Sequence, residues 1–357
     1  MSTLFDPITA GQLACPNRIW MAPLTRGRAT REHVPTDSMV TYYAQRAAAG
    51  LIITEATGIS LEGSGWPYAG GLWEPAQVKH WKAVTDAVHR AGGRIVVQLW
   101  HMGRIVHPSL HGVQPVSASA TTAPGKAHTY EGKQPYVAAR PLAIDEIPRL
   151  ISDYVNAAEK ALEAGFDGVQ LHAANGYLID QFLRDGSNHR ADAYGGSIEN
   201  RLRLLSQVTE ALIATVGAGR TSVRLSPNGD SQGVDDSQQD ALFPAAAAML
   251  DKLGIAFLEL REPGPNGTFG KSDRPPVAPL IRKVFKGVLV LNSDYDFARG
   301  QAAIGSGAAD AITYGRPFIA NPDLPHRFAD GLPLNMDEQA TWYSQGDAGY
   351  ISYPTAA

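Results

Sequence analysis

His172, Asn175 and Tyr177 stand within one short segment, Leu-His-Ala-Ala-Asn-Gly-Tyr-Leu-Ile-Asp, spanning 171–180. The first two carry side-chain N–H donors and the third a phenol. An oxygen that gains negative charge while a neighbouring carbon is attacked needs fixed donors of this kind. A phenol with a pKa near ~10 keeps its proton at neutral pH and can hand it to carbon. Taken singly, each reads more readily as structural, His172 and Asn175 as partners of buried backbone groups and Tyr177 as a packing residue. Their shared place at a strand-to-helix turn is what favours chemistry.

Arg224 lies in Val-Arg-Leu-Ser, an otherwise apolar strand. A buried guanidinium without compensation is costly, so something anionic should meet it. A reduced flavin, with its charge centred on N1 and the C2 carbonyl, would serve. An internal salt bridge to Glu55 or Glu259 is the competing reading. Tyr314-Gly315-Arg316-Pro317-Phe318 and Asn292-Ser293-Asp294 are two loops suited to phosphate, since Gly315 permits close approach and Arg316 can clamp oxygens. His101, His107 and His111 are irregularly spaced and lack acidic partners, so no metal site is expected. Neither a Gly-x-Gly-x-x-Gly fingerprint nor a P-loop is present.

Positioning such scattered residues requires a fold that gathers strand ends. Short apolar runs at Ile19–Pro23, Leu51–Glu55, Arg94–Leu99, Gly168–His172, Ser222–Ser226, Ala256–Leu260, Val288–Leu291 and Ala311–Tyr314 lack polar alternation, as strands buried on both faces do. Helical patterns lie between them, among others at Val78–Arg90, Ile147–Ala164, Ile198–Val216 and Asp240–Leu253. Eight strand–helix pairs predict an α/β fold, a (β/α)8 TIM barrel, whose active site sits where the strands end. Thr25, Gln98, His172, Arg224 and Arg316 all fall at or near such ends. Residues 1–18 are expected to form a hairpin closing the lower end. The excursion 100–148, rich in Gly, Pro, Ser and His, reads as a lid or inserted subdomain over the site within one 1–357 barrel domain.

With 357 residues, 44% hydrophobic and 18% charged, the chain has ample material for a core. A net charge of −4 gives no footprint for nucleic acid. The longest apolar stretches fall well short of the ~20 residues that span a bilayer. The amino terminus shows no secretory pattern. Cys15 is the one cysteine, and a reducing, cytoplasmic setting is the expectation. The sequence leaves monomer and homodimer equally open.

Six ordered segments carry a resemblance: Asn17 to Arg26, Glu55 to Ser60, Gln98 to Arg104, His172 to Leu178, Tyr194 to Arg201, and Gly315 to Pro322. Together they resemble the Old Yellow Enzyme family of FMN-dependent ene-reductases over essentially the whole chain. The resemblance implies tight, non-covalent FMN and NADH or NADPH as reductant. It implies an activated alkene as substrate: an enal, an enone or a nitroalkene. Thr25 would bond the flavin O4, and Gln98 and Arg224 would hold the pyrimidine edge. Groups at Pro23, Ala56, Gly315 and Arg316, with Asn292 and Ser293, would seat the flavin and its phosphate. His172 and Asn175 would bind the activating group, and Tyr177 would protonate the α-carbon. Trp66, Tyr68, Trp100 and Tyr343 would shape the pocket. Many family members carry a second histidine where this chain has Asn175, whose amide still donates. Within the family the alternative activity is reduction of nitrate esters or nitro compounds. Outside it, the alternative is a flavin-free barrel hydrolase or aldolase.

Overall fold

Runs such as Ile95–Trp100 and Thr221–Leu225 are buried at every position. A strand without a polar face can be satisfied only between neighbours in a sheet covered on both sides. In the computed structural model, which describes residues 2–268 and 270–356, that requirement is met by a closed barrel. Along the chain come β1 (Ile8–Ala10), β2 (Leu13–Cys15), β3 (Ile19–Met21), α1 (Asp37–Gln45), β4 (Ile52–Gly58), α2 (Pro75–Arg90) and β5 (Ile95–Trp100). The excursion holds α3 (Pro108–His111), β6 (Val116–Ser117), β7 (Lys126–Thr129), β8 (Gly132–Pro135) and β9 (Arg140–Pro141). Then follow α4 (Ile147–Glu163), β10 (Gly168–His172), α5 (Leu178–Leu183), α6 (Ile198–Val216), β11 (Thr221–Leu225), α7 (Gln239–Leu253) and β12 (Phe257–Arg261). The chain ends with α8 (Ala278–Val284), β13 (Val288–Asn292), α9 (Phe297–Gly305), β14 (Ala311–Tyr314), α10 (Arg316–Ala320) and α11 (Leu324–Asp330).

The eight strands β3, β4, β5, β10, β11, β12, β13 and β14 pair in parallel and close on themselves. All eight runs expected from the sequence are there, two with the same ends, β10 and β14, and the others with ends shifted by up to three residues. The largest shift is at β4, which runs on to Gly58 through an irregularity between Ile53 and Ala56. Helix α2 starts three residues earlier than its apolar periodicity indicates. Glu74 and Gln77 form a capping box there, and Pro75 sits at the first helical position, where its missing N–H costs nothing.

The barrel is closed below by the β1–β2 hairpin, which pairs antiparallel and packs Ala10, Leu13 and Cys15 against Trp20, Phe257 and Val290 at the strand starts. Gly11, at φ +59°, lets this hairpin approach the 219 backbone, with Gln12 N–H donating to Gly219 O at 2.8 Å. The 100–148 excursion carries two small sheets, the parallel pair β6–β9 and the hairpin β7–β8. Among the described residues, no helix is long and apolar enough to cross a membrane.

Candidate active site

All eight barrel strands send residues into one cavity of 480 Å³ at their carboxyl ends. Among its walls are Pro23 and Thr25 beyond β3, Ala56 of β4, Gln98 and Trp100 of β5, His172 of β10, Arg224 of β11, Arg261 of β12, Asn292 and Ser293 at β13, and Gly315 and Arg316 beyond β14. Trp66, Tyr343, Asn175 and Tyr177 complete the mouth. A cavity of this size suits a sizeable organic ligand.

Its floor is a continuous buried polar network. Gln98 Nε2 donates to Gln170 Oε1 at 2.6 Å, and Gln170 Nε2 donates to Glu259 Oε2 at 2.9 Å. Glu259 also accepts from Thr313 Oγ1 at 2.7 Å and lies 3.3 Å from Arg224 Nε. Arg224 Nη2 donates to Asn292 Oδ1 at 2.8 Å. The competing reading of Arg224 is therefore partly realised: Glu259, not Glu55, supplies the counter-charge that makes burial tolerable. Arg224 Nε is nonetheless not aligned for a hydrogen bond. Trp100 Nε1 and His172 Nδ1 likewise have no partner among the described residues. Gln98, Thr25 and Arg224 line the cavity, and their donor groups suit a ligand rich in acceptor atoms. FMN offers such acceptors in its pyrimidine edge.

The turn bearing His172, Asn175 and Tyr177 is held from below. Asn175 takes φ +58°, a left-handed conformation that asparagine tolerates better than most residues. Its N–H donates to Ser226 Oγ at 2.7 Å, and its carbonyl accepts from Gln232 Nε2 at 3.0 Å. The next N–H, of Gly176, donates to buried Asp180 Oδ2 at 2.9 Å, and Asp180 is paired with Arg184 at 2.8 Å. Strain of this kind persists only where surrounding bonds over-determine it. Above the turn, His172 and Trp100 face each other nearly parallel at 6.3 Å, and Tyr177 stands edge-on to each at 4.9 Å.

Burial, then the Arg224 and Arg261 charges, hold the His172 pKa well below its usual value, so the ring is neutral at neutral pH. Burial pushes the Tyr177 phenol up, so it keeps its proton. The site thus presents a neutral imidazole, an amide and a protonated phenol to one space.

A family model for NADH:flavin oxidoreductase / NADH oxidase matches residues 3–335. The chain belongs to that family. A probable flavin mononucleotide-dependent alkene reductase of Leishmania infantum is 41% identical over 99% of this chain and 98% of its own. A putative 12-oxophytodienoate reductase 4 of Oryza sativa subsp. japonica is 40% identical over 98% of this chain and 92% of its own. Among solved structures, an old yellow enzyme homologue from Zymomonas mobilis superposes with a TM-score of 0.98 at 62% identity, covering 99% of both chains. Morphinone reductase in complex with tetrahydroNAD superposes at 0.94 with 42% identity, covering 100% of this chain and 98% of that one.

For this flavin oxidoreductase, most of the sequence-derived candidates meet in the cavity: Pro23, Thr25, Ala56, Trp66, Gln98, Trp100, His172, Asn175, Tyr177, Arg224, Asn292, Ser293, Gly315, Arg316 and Tyr343. Tyr68 is not among the lining residues. It takes φ +61°, and its ring meets Tyr130 edge-on at 5.1 Å beside the β7–β8 hairpin. Arg316 faces Asp294 at 3.5 Å, so any phosphate it grips competes with a carboxylate already present. Arg261 and Trp342 also line the cavity and escaped the sequence reading. Arg261 ends an apolar strand just as Arg224 interrupts one, and the same argument from buried charge would have found it.

Proposed function

We propose that this chain binds FMN non-covalently and uses NADH or NADPH to reduce carbon–carbon double bonds conjugated to a carbonyl or nitro group. The carrying observation is the convergence of two neutral donors, His172 and Asn175, with the protonated Tyr177 phenol above a floor formed by Gln98 and Arg224. Bound FMN supplies a carrier that takes hydride from the nicotinamide and passes it to the substrate's β-carbon. His172 and Asn175 hold the activating oxygen and stabilise the negative charge that builds there. Tyr177 holds the proton for the α-carbon on its phenol oxygen. Trp66, Trp100 and Tyr343 exclude water and shape the space for the alkene. Tyr68 supports the rim through Tyr130, and the 100–148 excursion serves as a lid. Thr25 would bond the flavin O4, while Pro23, Ala56, Asn292, Ser293, Gly315 and Arg316 would seat the ring and phosphate.

A phenol set against the substrate is idle in denitration of a nitrate ester, which needs no proton on carbon. Its placement favours alkene reduction over that alternative. Activity on a small molecule and a single buried cysteine, Cys15, suit a cytoplasmic setting. The test is the purified protein's visible spectrum, followed by product analysis with an enone and NAD(P)H. A flavin spectrum and saturated ketone are expected. A colourless protein that does not take up added FMN overturns the reading.

A further inference from the structure

Asn175 reaches the cavity with a carboxamide whose two ends do opposite things, one donating and one accepting. Which end faces the substrate decides whether Asn175 helps or hinders there. Arg261 Nη1 donates to Asn175 Oδ1 at 3.1 Å. A guanidinium has donors only, so the amide end it faces must be the oxygen. The Nδ2 end is thereby turned away from Arg261, and both side chains line the cavity. The backbone of Asn175 is fixed independently by Ser226 and Gln232, so the remaining freedom is rotation of the amide.

We infer that Arg261 is a positioning residue, which locks the Asn175 carboxamide with its N–H group toward the substrate's activating oxygen. This rests on the reading that Asn175 binds that oxygen. Without Arg261 the amide rotates, and its oxygen meets the substrate's oxygen for part of the time. The guanidinium is itself held at the end of β12, whose neighbours β11 and β13 supply Arg224 and Asn292.

The experiment is a double-mutant cycle on the FMN-loaded enzyme. The readouts are the dissociation constant of a para-substituted phenol, taken from the flavin's visible spectrum, and KM for an enone. Asn175→Ala should weaken both by roughly 10-fold, the value of one good hydrogen bond. Arg261→Met should weaken both by roughly 3- to 10-fold in the parent enzyme. In the Asn175→Ala background it should change them by less than about 2-fold, because a residue that acts through another has nothing left to position. Arg261→Lys keeps a donor and a charge and should restore most of the lost affinity. FMN content, measured for every variant, reports whether the cavity has survived. Equal losses from Arg261→Met in both backgrounds overturn the positioning role and leave the assignment of Asn175 intact. An Asn175→Ala variant with unchanged phenol affinity overturns the assignment itself, and the proposal with it.

Discussion

Tyr177→Phe removes a proton donor and almost no volume. The ring keeps its edge-on contacts with Trp100 and His172, so folding and FMN content should survive. Reduction of the enzyme by NAD(P)H requires no proton on carbon and should keep its rate. Turnover of an enone should fall by roughly 10²- to 10⁴-fold, the usual loss when a general acid is removed. Nitroalkenes should suffer less, because the stabilised anion can leave and take a proton from water. Rapid-mixing kinetics on the two half-reactions decide the matter, and equal slowing of both would point to a damaged pocket. At this scale the sequence was informative where a polar residue broke an apolar pattern near a strand end. His172, Arg224 and Gln98 all announced themselves in that way. What it could not express was pairing across the barrel. That Gln98 meets Gln170, or that Arg261 meets Asn175, depends on strand register and crossing distances, which no local spacing encodes.

Between elements, one side chain does a disproportionate share of the joining. Gln181 of α5 is fully buried, and all its polar capacity is used. Its Nε2 donates to Met102 O at 3.1 Å and Gly176 O at 2.7 Å, while Oε1 accepts from Arg104 N at 3.1 Å and Ser117 Oγ at 2.8 Å. It thus ties the start of the excursion, β6 and the catalytic turn to one helix. Gly103 makes this possible, since a Cβ there would stand 2.2 Å from Gln181 Oε1. Gln181→Leu fills similar space and leaves three buried polar groups, Arg104 N–H, Ser117 Oγ and Gly176 O, without these partners, while Met102 O still accepts from Ile105 N–H. At about 1 kcal/mol or more for each stranded group, the loss should reach about 3 kcal/mol, read as a lower melting temperature. A loss under about 1 kcal/mol would mean that water replaces the side chain. Neither this junction nor the β7–β8 hairpin was legible beforehand. A segment rich in Gly, Pro and Ser signals a functional loop, but its internal pairing is set by tertiary contacts such as Trp66 on His128 at 4.4 Å. The barrel strands were legible because burial on both faces imposes an unbroken apolar run, and only their ends moved.

Over the whole molecule, the buried titratable groups combine into one prediction about pH. His33, His111, His128 and His172 all have pKa values lowered chiefly by burial. A histidine held neutral in the fold binds fewer protons there than in the unfolded chain. Its contribution is complete above the ordinary value near 6.5 and is lost as pH falls below it. Glu55 and Glu262 act in the opposite sense, burial pushing each up to about 7. Their contribution is complete below the ordinary value of 4.5 and is lost as pH rises from there to about 7. Between pH 5 and 6.5 the two sets oppose each other, and His172, held well below its usual value, together with the three other buried histidines works toward stability that rises with pH. On the alkaline side, burial raises Cys15 to about 12 and lifts the phenols of Tyr43, Tyr154, Tyr177 and Tyr314 above their usual range. Groups that stay protonated in the fold but ionise when unfolded destabilise it once pH passes 9 to 10. Thermal melts of the FMN-loaded protein should climb from pH 5 to 7, level off to about 9, and decline beyond. Replacing His33 by asparagine keeps a polar side chain near Ala69 O, the partner of His33 Nδ1 at 2.8 Å, and removes one of the four titrating rings. The acid limb of that variant should be shallower while its plateau stays at a similar pH. A melting temperature that falls between pH 5 and 7 would show that the two buried glutamates outweigh the histidines.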